Sequence, residues 1–475
     1  MTQLHDLTAY EQLGALRAGE ISSRELTEHY LDRIETHADS LGAFVTLTPE
    51  FARASAARAD ERLAQGDRTP LLGLPIGIKD LQPTAGIRTT FGSAACAGFI
   101  PSEDSWAVRL LREAGAVIVG KTNTPEFGAS CYTENTVTAG PAVTPYDLGR
   151  YASGSSGGSA TAVAAGLLPF AHASDGAGSI RTPAGTCHLV GFKPSRGLVG
   201  TAPASTFVAT TTEGPLARTV TDAALLLDAM TARRAPGELY GSPAGGSFVR
   251  AVRRGLERPL RIAMWTDAGG SGALHVEVRS AVEATAHLLR ALGHEVEERP
   301  VPAMLDEVTR NALEVWFASS VGMATMALVS DEKHHLLSPF TRHLISLTQR
   351  LSARDVLDAQ AVLAQYASAL LSALGEYDAA LTPVTSDPPM PIGHFLAAGV
   401  DQVLTRMLDW SGHTPWVNLT GQPAVSLPAS LTADGLPIGV QLVGQRGRDG
   451  LLLALSEQLE VARGWSDIHP PCWLG

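Results

Sequence analysis

Segments with the hydrophobic period of a helix alternate along the chain with short runs of apolar, often β-branched residues. Residues 105–111 predict an amphipathic helix, Gly115 marks its end, and residues 116–119 predict a buried strand. The same order recurs later, with a strand over residues 261–265 and a helix over about 276–292. Strand–helix–strand units of this kind are typical of a parallel sheet buried between layers of helices.

A different pattern near the carboxyl end predicts a hairpin. Two apolar runs, residues 424–428 and 438–443, flank an Asp-Gly turn. Together with the parallel units, the hairpin predicts an α/β fold with a large mixed, mostly parallel central sheet covered on both faces by helices. Residues 235–247 are rich in Gly, Pro and Ser and are the candidate linker, but strand–helix patterning continues on both sides. We therefore expect a single domain over residues 1–475.

Composition and charge exclude several classes of protein. Of the 475 residues, 45% are hydrophobic and 18% are charged. Because soluble domains average roughly 25% charged residues, a large core is expected and disorder is excluded. The net charge of −12 has the wrong sign for binding nucleic acid or an anionic membrane. No run approaches the roughly 20 apolar residues of a membrane span, and the first residues lack a signal-peptide pattern, so we expect a soluble, cytoplasmic protein.

Cysteine and histidine spacing gives no sign of a metal site. The four cysteines are too far apart for a CxxC metal clip, and Cys187 is interpreted as buried packing. His334 and His335 are adjacent, but no third ligand follows at a spacing typical of zinc sites. We predict no metal and no other cofactor.

Two short motifs match common signatures but lie in the wrong context. Residues 115–122 (GAVIVGKT) fit the P-loop pattern, yet the predicted strand lies between the two glycines, where phosphate binding requires a loop. Residues 154–158 (GSSGG) fit the GxSxG elbow of α/β-hydrolases, yet residues 145–153 before them predict a polar loop instead of a hydrophobic strand. The sequence also offers nothing to orient His413 or His469 as a partner. We interpret the first motif as a core strand and the second as a loop that enters a helix.

Two turns of small residues form the strongest candidate for a site. Residues 153–159 (SGSSGGS) open a predicted helix, and residues 175–181 (DGAGSIR) follow an apolar run, residues 167–171, that predicts a strand. Glycine and serine at this density permit backbone conformations that branched residues forbid. Active sites of α/β proteins gather at the carboxyl ends of strands, so the second turn is well placed for one.

These turns, together with residues 73–80 (GLPIGIKD), carry a family resemblance. The chain resembles the amidase signature enzymes, and the resemblance continues through four further motifs in the family's order: TNTPEFG at 122–128, GFKPSRG at 191–197, NLTGQP at 418–423 and GLPIGVQL at 435–442. It covers most of the chain. The resemblance implies the amidase signature fold and a serine hydrolase that acts on non-peptide C–N bonds without a cofactor.

The resemblance also implies a Ser–cis-Ser–Lys triad formed by Ser179, Ser155 and Lys79, with a cis peptide bond between Gly154 and Ser155. A serine hydroxyl becomes a good nucleophile only when a neighbouring base removes its proton. Lysine can be that base only when it is neutral, which requires burial away from other carboxylates. Lys79 ends an apolar run, which is consistent with burial. Ser155 would accept the proton of Ser179 while passing its own to Lys79.

The turn before the nucleophile is the expected oxyanion hole. Its donors would be the backbone N–H groups of Gly176, Ala177, Gly178 and Ser179. Ala177 stands where the family has glycine, and if this position needs a positive φ, its methyl group costs about 1 kcal/mol or more. Asp175 and Arg181 flank the turn and are interpreted as an ion pair that sets its shape.

The substrate pocket is predicted from weaker signals. The candidate lining residues are Ser130, Cys131, Trp316 and Trp410. Residues 300–350 form a variable helical segment with Trp316, Phe317, Met323, Met326 and Phe340 at partly helical spacing. This segment either packs as a core helix or forms an apolar wall or cover of the pocket.

The predicted function is hydrolysis of small carboxamides through an acyl-enzyme on Ser179, with esters, lactams and carbamates (urethanes) as further candidates. We expect neutral, largely apolar or aryl substrates, because no carboxylate is predicted in the pocket to compensate a substrate ammonium. The alternative is the glutaminase subunit of a tRNA-dependent amidotransferase. In that case the resemblance places the glutamine-binding acid at Ser411, with Asp409 two positions away, which disfavours this alternative.

A catalytically silent binding protein on the same scaffold is a third alternative, disfavoured because all three triad positions are occupied. The expected partner is a small-molecule amide substrate, with no nucleic acid and no membrane. Homodimer formation stays open.

Overall fold

Eleven strands form one sheet in the part of the chain that this structure, a computed structural model, describes: residues 3–200, 210–238, 241, 246–266, 274–301 and 305–474. The strands of the described residues are β1 (Phe44–Leu47), β2 (Pro75–Lys79), β3 (Val117–Thr122), β4 (Val143–Thr144), β5 (Asp147–Tyr151), β6 (Phe170–Asp175), β7 (Val190–Lys193), β8 (Thr212–Ala217), β9 (Arg261–Met264), β10 (Glu295–Glu298), β11 (Ala379–Pro383), β12 (Ala424–Leu431) and β13 (Pro437–Gly444). Strands β4 and β5 pair separately, and the others follow the order β1-β3-β2-β6-β8-β7-β12-β13-β11-β9-β10.

The sheet is mixed, as predicted, but it is not mostly parallel. Among the described strands, the pairs β3–β2, β2–β6, β11–β9 and β9–β10 are parallel. The remaining neighbours in the sheet order are antiparallel and outnumber them. Two features of the strand order explain this. The β12–β13 hairpin lies inside the sheet between β7 and β11 and pairs antiparallel on both sides. Strand β8 also pairs antiparallel with both of its neighbours, and the edge strand β1 pairs antiparallel with β3.

Helices cover both faces of this sheet. In the described residues they are α1 (Ala9–Ala18), α2 (Ser23–Leu41), α3 (Pro49–Ala64), α4 (Trp106–Glu113), α5 (Gly157–Ala164), α6 (Arg181–Thr186), α7 (Val220–Met230), α8 (Phe248–Arg254), α9 (Val276–Ala291), α10 (Glu307–Leu328), α11 (Pro339–Arg350), α12 (Ala353–Leu374), α13 (Val403–Ser411), α14 (Pro415–Thr420) and α15 (Asp449–Arg463). Successive residues of β3 show the two layers, because Ile118 packs in one apolar core while Val117 and Val119 pack in another. Both faces are therefore buried.

Most of the predicted elements are confirmed. The helix at residues 105–111 is α4, the strand after it is β3, and the unit near residue 261 is β9 followed by α9. Two predictions were wrong. Residues 145–153 contain the exposed strand β5 instead of a loop, and the strand predicted at residues 167–171 begins only at Phe170.

The longer segments are described only in part. The candidate linker at 235–247 includes residues 239–240 and 242–245, which lie outside the described residues, but β8 before it and β9 after it belong to the same sheet. This arrangement favours the single domain, which stays a prediction. The segment 300–350 is helical as predicted, with α10 and α11, and its residues 302–304 lie outside the described part. None of the helices described could cross a membrane, given their length and polarity.

Candidate active site

Lys79 and Ser155 meet where the parallel strands β2 and β6 end. Lys79 is the last residue of β2 and is fully buried, and its Nζ donates to Ser155 Oγ at 2.8 Å. The same Nζ lies 3.0 Å from Ser174 Oγ and 3.2 Å from the Ser174 carbonyl oxygen on β6. The peptide bond between Gly154 and Ser155 is cis, as the resemblance implies. Two of the three predicted triad residues are therefore in direct contact.

The surroundings of Lys79 favour its neutral amine. Loss of hydration lowers the pKa of Lys79 to about 7, and the charges of Asp175 and Glu213 act in the opposite direction. Glu213 on β8 is itself paired across the sheet with His172 of β6, whose Nε2 lies 2.7 Å from Glu213 Oε2. A lysine with this pKa is partly neutral at neutral pH, which is what a proton acceptor requires.

Ser179 lies in the turn between β6 and α6 and is half-buried. It lines a cavity that the described residues enclose in part. In the described residues its hydroxyl has no hydrogen-bond partner, so the structure does not show the contact between Ser155 and Ser179 that the relay needs. Such contacts are often long without substrate and tighten when it binds.

The predicted oxyanion hole needs one correction. The N–H of Gly178 donates to Asp175 Oδ1 at 2.7 Å, so it is occupied inside the turn and does not face a substrate. The N–H groups of Gly176, Ala177 and Ser179 have no such partner among the described residues. These three remain as candidate donors. Gly178 itself must be glycine, because its φ is +131° and a Cβ would lie 2.1 Å from Thr414 Oγ1.

Ala177 does not strain the turn. In the described residues, the positive-φ positions other than glycine are Phe91, Phe127, Ser153 and His188, and Ala177 is not among them. The cost that a positive φ would impose on Ala177 is therefore absent. Its carbonyl oxygen accepts from Thr414 Oγ1 at 2.7 Å, which fixes the peptide that follows.

The turn is held by the ion pair predicted from the sequence. Arg181 donates from Nε to Asp175 Oδ2 and from an Nη to Asp175 Oδ1, both at 2.9 Å, and both side chains are fully buried. Asn418 of α14 donates to Asp175 Oδ1 at 3.0 Å and accepts from Arg181 at 2.6 Å. Burial alone would raise the pKa of Asp175, but the Arg181 guanidinium outweighs it and holds that pKa well below its usual range. Asp175 is therefore ionised and acts on the shape of the turn.

A cavity lies in front of Ser179, with an empty volume of about 580 Å³ that includes its opening to solvent. Besides the nucleophile turn, the walls come mainly from α10 and α13 and are mostly apolar: Gly128, Ser130, Cys131, Gly154, Thr182, Leu313, Glu314, Trp316, Phe317, Leu404, Met407, Leu408, Ser411 and Pro415. A substrate in this cavity would contact Ser179 at one end and the two helices along its length.

The structure places three of the four predicted pocket residues in this wall. Ser130, Cys131 and Trp316 line the cavity, whereas Trp410 packs behind it and donates from Nε1 to the Asp387 carbonyl oxygen at 3.2 Å. Trp410 faces away because α13 presents the Met407 and Ser411 side of the helix to the cavity. Burial raises the pKa of the Cys131 thiol far above its usual range, so this thiol is not a nucleophile.

The variable segment contributes in part as a wall and in part as core. Trp316 and Phe317 line the cavity, but Phe340 packs in the core, Met326 packs against a smaller cluster, and Met323 is 60% exposed. Both interpretations of residues 300–350 therefore apply, each to different side chains of the same helices.

One side chain of the wall was not expected. Glu314 is one of the residues that line the cavity, and its Oε1 accepts from Thr405 Oγ1 at 3.4 Å. The premise that the pocket lacks a carboxylate was therefore wrong. Burial raises the pKa of Glu314, against weaker opposing effects of Thr405 and Arg310. No local pattern indicates this position, because an acid on a helix is ordinarily expected on the solvent side.

Ser174 and Thr414 were also missed as neighbours of the site. Ser174 directly precedes the DGAGSIR turn. A prediction that β2 and β6 are parallel neighbours would have placed Ser174 next to Lys79, but the strand order was not predicted from the sequence. Thr414 lies far along the chain from the turn that it supports, so no local pattern could indicate it.

The two histidines considered as partners of a nucleophile, His413 and His469, do not line the cavity at Ser179. His413 is buried but lies outside the cavity wall, and His469 stacks on Trp473 with ring centroids 3.9 Å apart. In the described ranges no three His, Cys, Asp or Glu side chains come together as metal ligands. The P-loop match is the buried strand β3, in which Lys121 lies 3.4 Å from Asp80.

Comparison with curated proteins gives close relatives along the whole chain. "Putative amidase AmiB2" of Mycobacterium tuberculosis is 38% identical over 472 residues, and the match covers 99% of each chain. A glutamyl-tRNA(Gln) amidotransferase subunit from Desulforapulum autotrophicum is 34% identical, and the match covers 94% of each. The relatives thus include both an amidase and a component of an amidotransferase.

Two solved structures share the fold at full length. The 6-aminohexanoate cyclic dimer hydrolase in complex with its substrate superposes with a TM-score of 0.91 at 29% identity, covering 99% of this chain and 100% of the other. A bacterial aryl acylamidase of the amidase signature family has a TM-score of 0.87 at 25% identity, covering 98% and 99%. The amidase family model matches residues 25–453. With the serine turns at the strand ends and this match over most of its length, the chain belongs to the amidase family, the amidase signature enzymes, and is an amide hydrolase.

Proposed function

We propose that the protein hydrolyses small-molecule carboxamides through an acyl-enzyme on Ser179, with Ser155 and Lys79 as its proton relay. The observation that carries this proposal is the 2.8 Å contact between Lys79 Nζ and Ser155 Oγ beside a cavity that Ser179 lines. The pKa of Lys79, about 7, supports its role as the final proton acceptor. Esters, lactams and carbamates pass through the same tetrahedral chemistry and are further candidate substrates.

In the acylation step, Ser179 Oγ attacks the amide carbonyl while its proton passes to Ser155 and the proton of Ser155 passes to Lys79. The carbonyl oxygen becomes an oxyanion, and the N–H groups of Gly176, Ala177 and Ser179 are the candidate donors to it. When the C–N bond breaks, Lys79 returns its proton through Ser155 to the leaving amine. Water then attacks the acyl-enzyme by the same relay, which restores Ser179 and releases the carboxylic acid.

The cavity supports substrates with an apolar body. Trp316, Phe317 and Met407 cover much of its wall, and apolar burial stabilises a complex by roughly 25 cal/mol per Å². The names of the structural neighbours, an aryl acylamidase and a cyclic dimer hydrolase, point to the same kind of substrate. We propose alkyl or aryl amides such as anilides. Overall neutrality of the substrate is no longer required, because Glu314 lies in the wall.

The test compares a neutral anilide with glutamine at one pH. We expect kcat/KM for the anilide to be at least about tenfold higher, and a fluorophosphonate probe to label the wild-type protein but not S179A. A protein that neither cleaves any amide nor reacts with the probe would contradict the proposal and favour the silent binding protein.

The glutaminase of a tRNA-dependent amidotransferase is the second candidate, favoured by the curated relative from Desulforapulum autotrophicum. The two positions that the resemblance gives for the glutamine-binding acid disfavour it, because Ser411 lines the cavity and Asp409 is paired with Arg310 at 2.9 Å. Glu314 supplies a carboxylate at a different place in the wall, so the assay with glutamine decides between the two candidates. Release of ammonia from glutamine that charged tRNA and a partner protein increase would establish this candidate in place of the first.

We also propose that the enzyme works in the cytoplasm without a cofactor, a metal or a nucleic-acid partner. The net charge of −12 supports the last point. Incubation with a chelator should leave kcat/KM unchanged within error, and a rate that only added zinc restores would contradict this. A measurement of the molar mass in solution would show whether the protein forms a homodimer.

A further inference from the structure

The wall of the cavity is apolar except at Glu314 and a few hydroxyl groups. Of the described residues that line it, Glu314 supplies the one carboxylate, and its neighbours on α10 are Leu313, Trp316 and Phe317. A charged group in such surroundings is unfavourable unless a partner compensates its lost hydration. The position therefore needs an explanation that packing does not give.

The protein compensates Glu314 only weakly. Its Oε1 accepts one hydrogen bond, from Thr405 of α13 at 3.4 Å, which is long for a hydroxyl donor. Its Oε2 has no hydrogen bond within the described residues. Glu314 is half-buried, so part of its side chain remains in contact with the cavity or solvent.

The cation whose charge acts on Glu314, Arg310, is engaged elsewhere. Arg310 lies one helical turn before Glu314 and donates to Asp409 of α13 at 2.9 Å. That pair already links α10 to α13, so Glu314 is not needed as the ion-pair partner of Arg310. Glu314 lines the same cavity as Ser179, so a substrate bound at Ser179 can bring a polar group within reach of it.

We propose that Glu314 binds an ammonium group of the substrate, remote from the amide that Ser179 attacks. The substrate would then have three parts that match the cavity: an amide at Ser179, an apolar chain or ring between α10 and α13, and a primary amine at Glu314. This inference rests on the proposed function and adds to it the chemical class of the substrate, an amide of an amino-terminated acyl group.

The test uses pairs of anilides that differ only at the end of the acyl chain. One member of each pair ends in a primary ammonium and the other in a methyl group, over a series of chain lengths. We expect the wild-type enzyme to prefer the ammonium member at the length that reaches Glu314. E314Q should lose about 10- to 100-fold in kcat/KM for that substrate, because a hydrogen bond to a charged group is stronger than one to a neutral amide.

The methyl-ended substrate should change by less than about threefold in E314Q. The matched control is E307Q, which removes the same charge from the exposed start of α10 and should leave both substrates unchanged. E314K should reverse the preference, so that an acyl chain ending in a carboxylate becomes the better substrate.

Binding separates this inference from the proposed function. Calorimetry of S179A with the ammonium-ended anilide should give an affinity that S179A/E314Q loses by the same factor. If the enzyme cleaves the methyl-ended anilides and E314Q leaves the ratio of the two substrates unchanged, the role of Glu314 is overturned while the amidase proposal stands. If no anilide is cleaved, the binding measurement decides the role of Glu314 alone.

Discussion

At the scale of single residues, the proposed chemistry depends on the burial of Lys79. Its ammonium contacts the hydroxyls of Ser155 and Ser174 and a carbonyl oxygen, none of which carries a full charge. Loss of hydration therefore dominates and lowers the pKa of Lys79 to about 7, despite the opposing charges of Asp175 and Glu213. Burial at one strand end therefore favours the neutral amine that the proposed relay requires.

The pH dependence of the rate should report this lysine. Neutral Lys79 is the active form, so kcat/KM should rise with pH and level off above a pKa of about 7. Because the charge of Glu213 raises the pKa of Lys79, E213Q should move the rising limb to lower pH. The measurement is kcat/KM against pH for a neutral anilide.

E50Q serves as the control for this experiment, since the Glu50 side chain is 90% exposed at the start of α3 and does not line the cavity. It should leave the profile in place. A limb that moves to higher pH in E213Q, or that does not move, would contradict the electrostatic role given to Glu213.

Substitution of the triad gives a second prediction. S179A should abolish acylation. K79A and S155A should each lower kcat/KM on the order of 10³-fold or more. The K79A/S155A double variant should lose little beyond either single variant, because the members of a relay act as one unit. H413A should stay within about tenfold, because His413 lies outside the cavity wall. Steady-state rates and probe labelling measure all of these variants. A folded H413A protein without activity would rule out lysine as the base.

At the same scale, sequence prediction succeeded where a motif contains the residue and failed where only the fold brings it near. Lys79 and Ser155 were expected together, and they are in contact. Glu314 was not expected, because its sequence neighbours do not distinguish a helix face toward solvent from a face toward a cavity. The sequence also could not predict that the N–H of Gly178 is occupied, since this depends on how the Asp175 side chain is oriented inside the turn.

At the scale of elements, the turn between β6 and α6 is held from the far end of the chain. Arg181 donates to Asp175 and also to Gln441 of β13 at 2.6 Å, and Asn418 of α14 bonds to both members of the ion pair. The inserted hairpin and α14 therefore position the nucleophile turn from its far side. The geometry of the turn depends on contacts between residues that are 237 positions apart in the sequence.

This arrangement predicts a large loss of stability when the ion pair is broken. D175N leaves Arg181 buried and without its anionic partner, which should cost about 3–5 kcal/mol in the free energy of unfolding. Urea unfolding at pH 7 is the measurement. The control is D147N, which breaks the exposed pair of Asp147 with Arg150 on β5 and should cost about 1 kcal/mol or less. Equal losses in the two variants would contradict the structural role of Asp175.

Element prediction was most reliable where the hydrophobic period was long. Helices α4 and α9 were found within two residues of their ends because several turns of each show one apolar face. Strand β5 was missed because its exposed residues do not alternate between apolar and polar. The majority of antiparallel pairs was missed because strand order depends on where the hairpin inserts, which local patterns do not contain.

At the scale of the whole molecule, buried histidines make stability depend on pH. Burial is the main cause that lowers the pKa of His188 to about 4, and the same holds for His5. Neither ring nitrogen of His188 has a hydrogen-bond partner in the described part of the chain. Its neutral form is favoured in the folded state, and the proton binds more strongly to the unfolded chain.

The sign of the effect follows from linkage. The pKa of His188 is lower in the folded than in the unfolded state, so its contribution to stability is complete above about pH 6.5 and is lost as pH falls toward about 4. Between pH 8 and pH 5 the loss should be about 2 kcal/mol for this one side chain. Urea unfolding across this range should show that the free energy of unfolding of H188N depends less on pH than that of the wild-type protein. The control is H335N, which replaces an exposed histidine and should keep the wild-type dependence.

The cavity is lined by two different parts of the fold, the turns around Ser179 and the helices α10 and α13. Lys79 ends the buried strand β2, and Ser155 and Ser179 lie in the turns that lead into α5 and α6. Most of the remaining wall comes from α10 and α13. Substitutions at Leu313, Trp316 or Met407 can therefore alter the shape of the acyl site without touching Lys79 or its neighbours. Directed evolution toward new amides should concentrate its libraries on these two helices, and selection there should yield variants that keep the wild-type pH profile while they exchange one substrate for another.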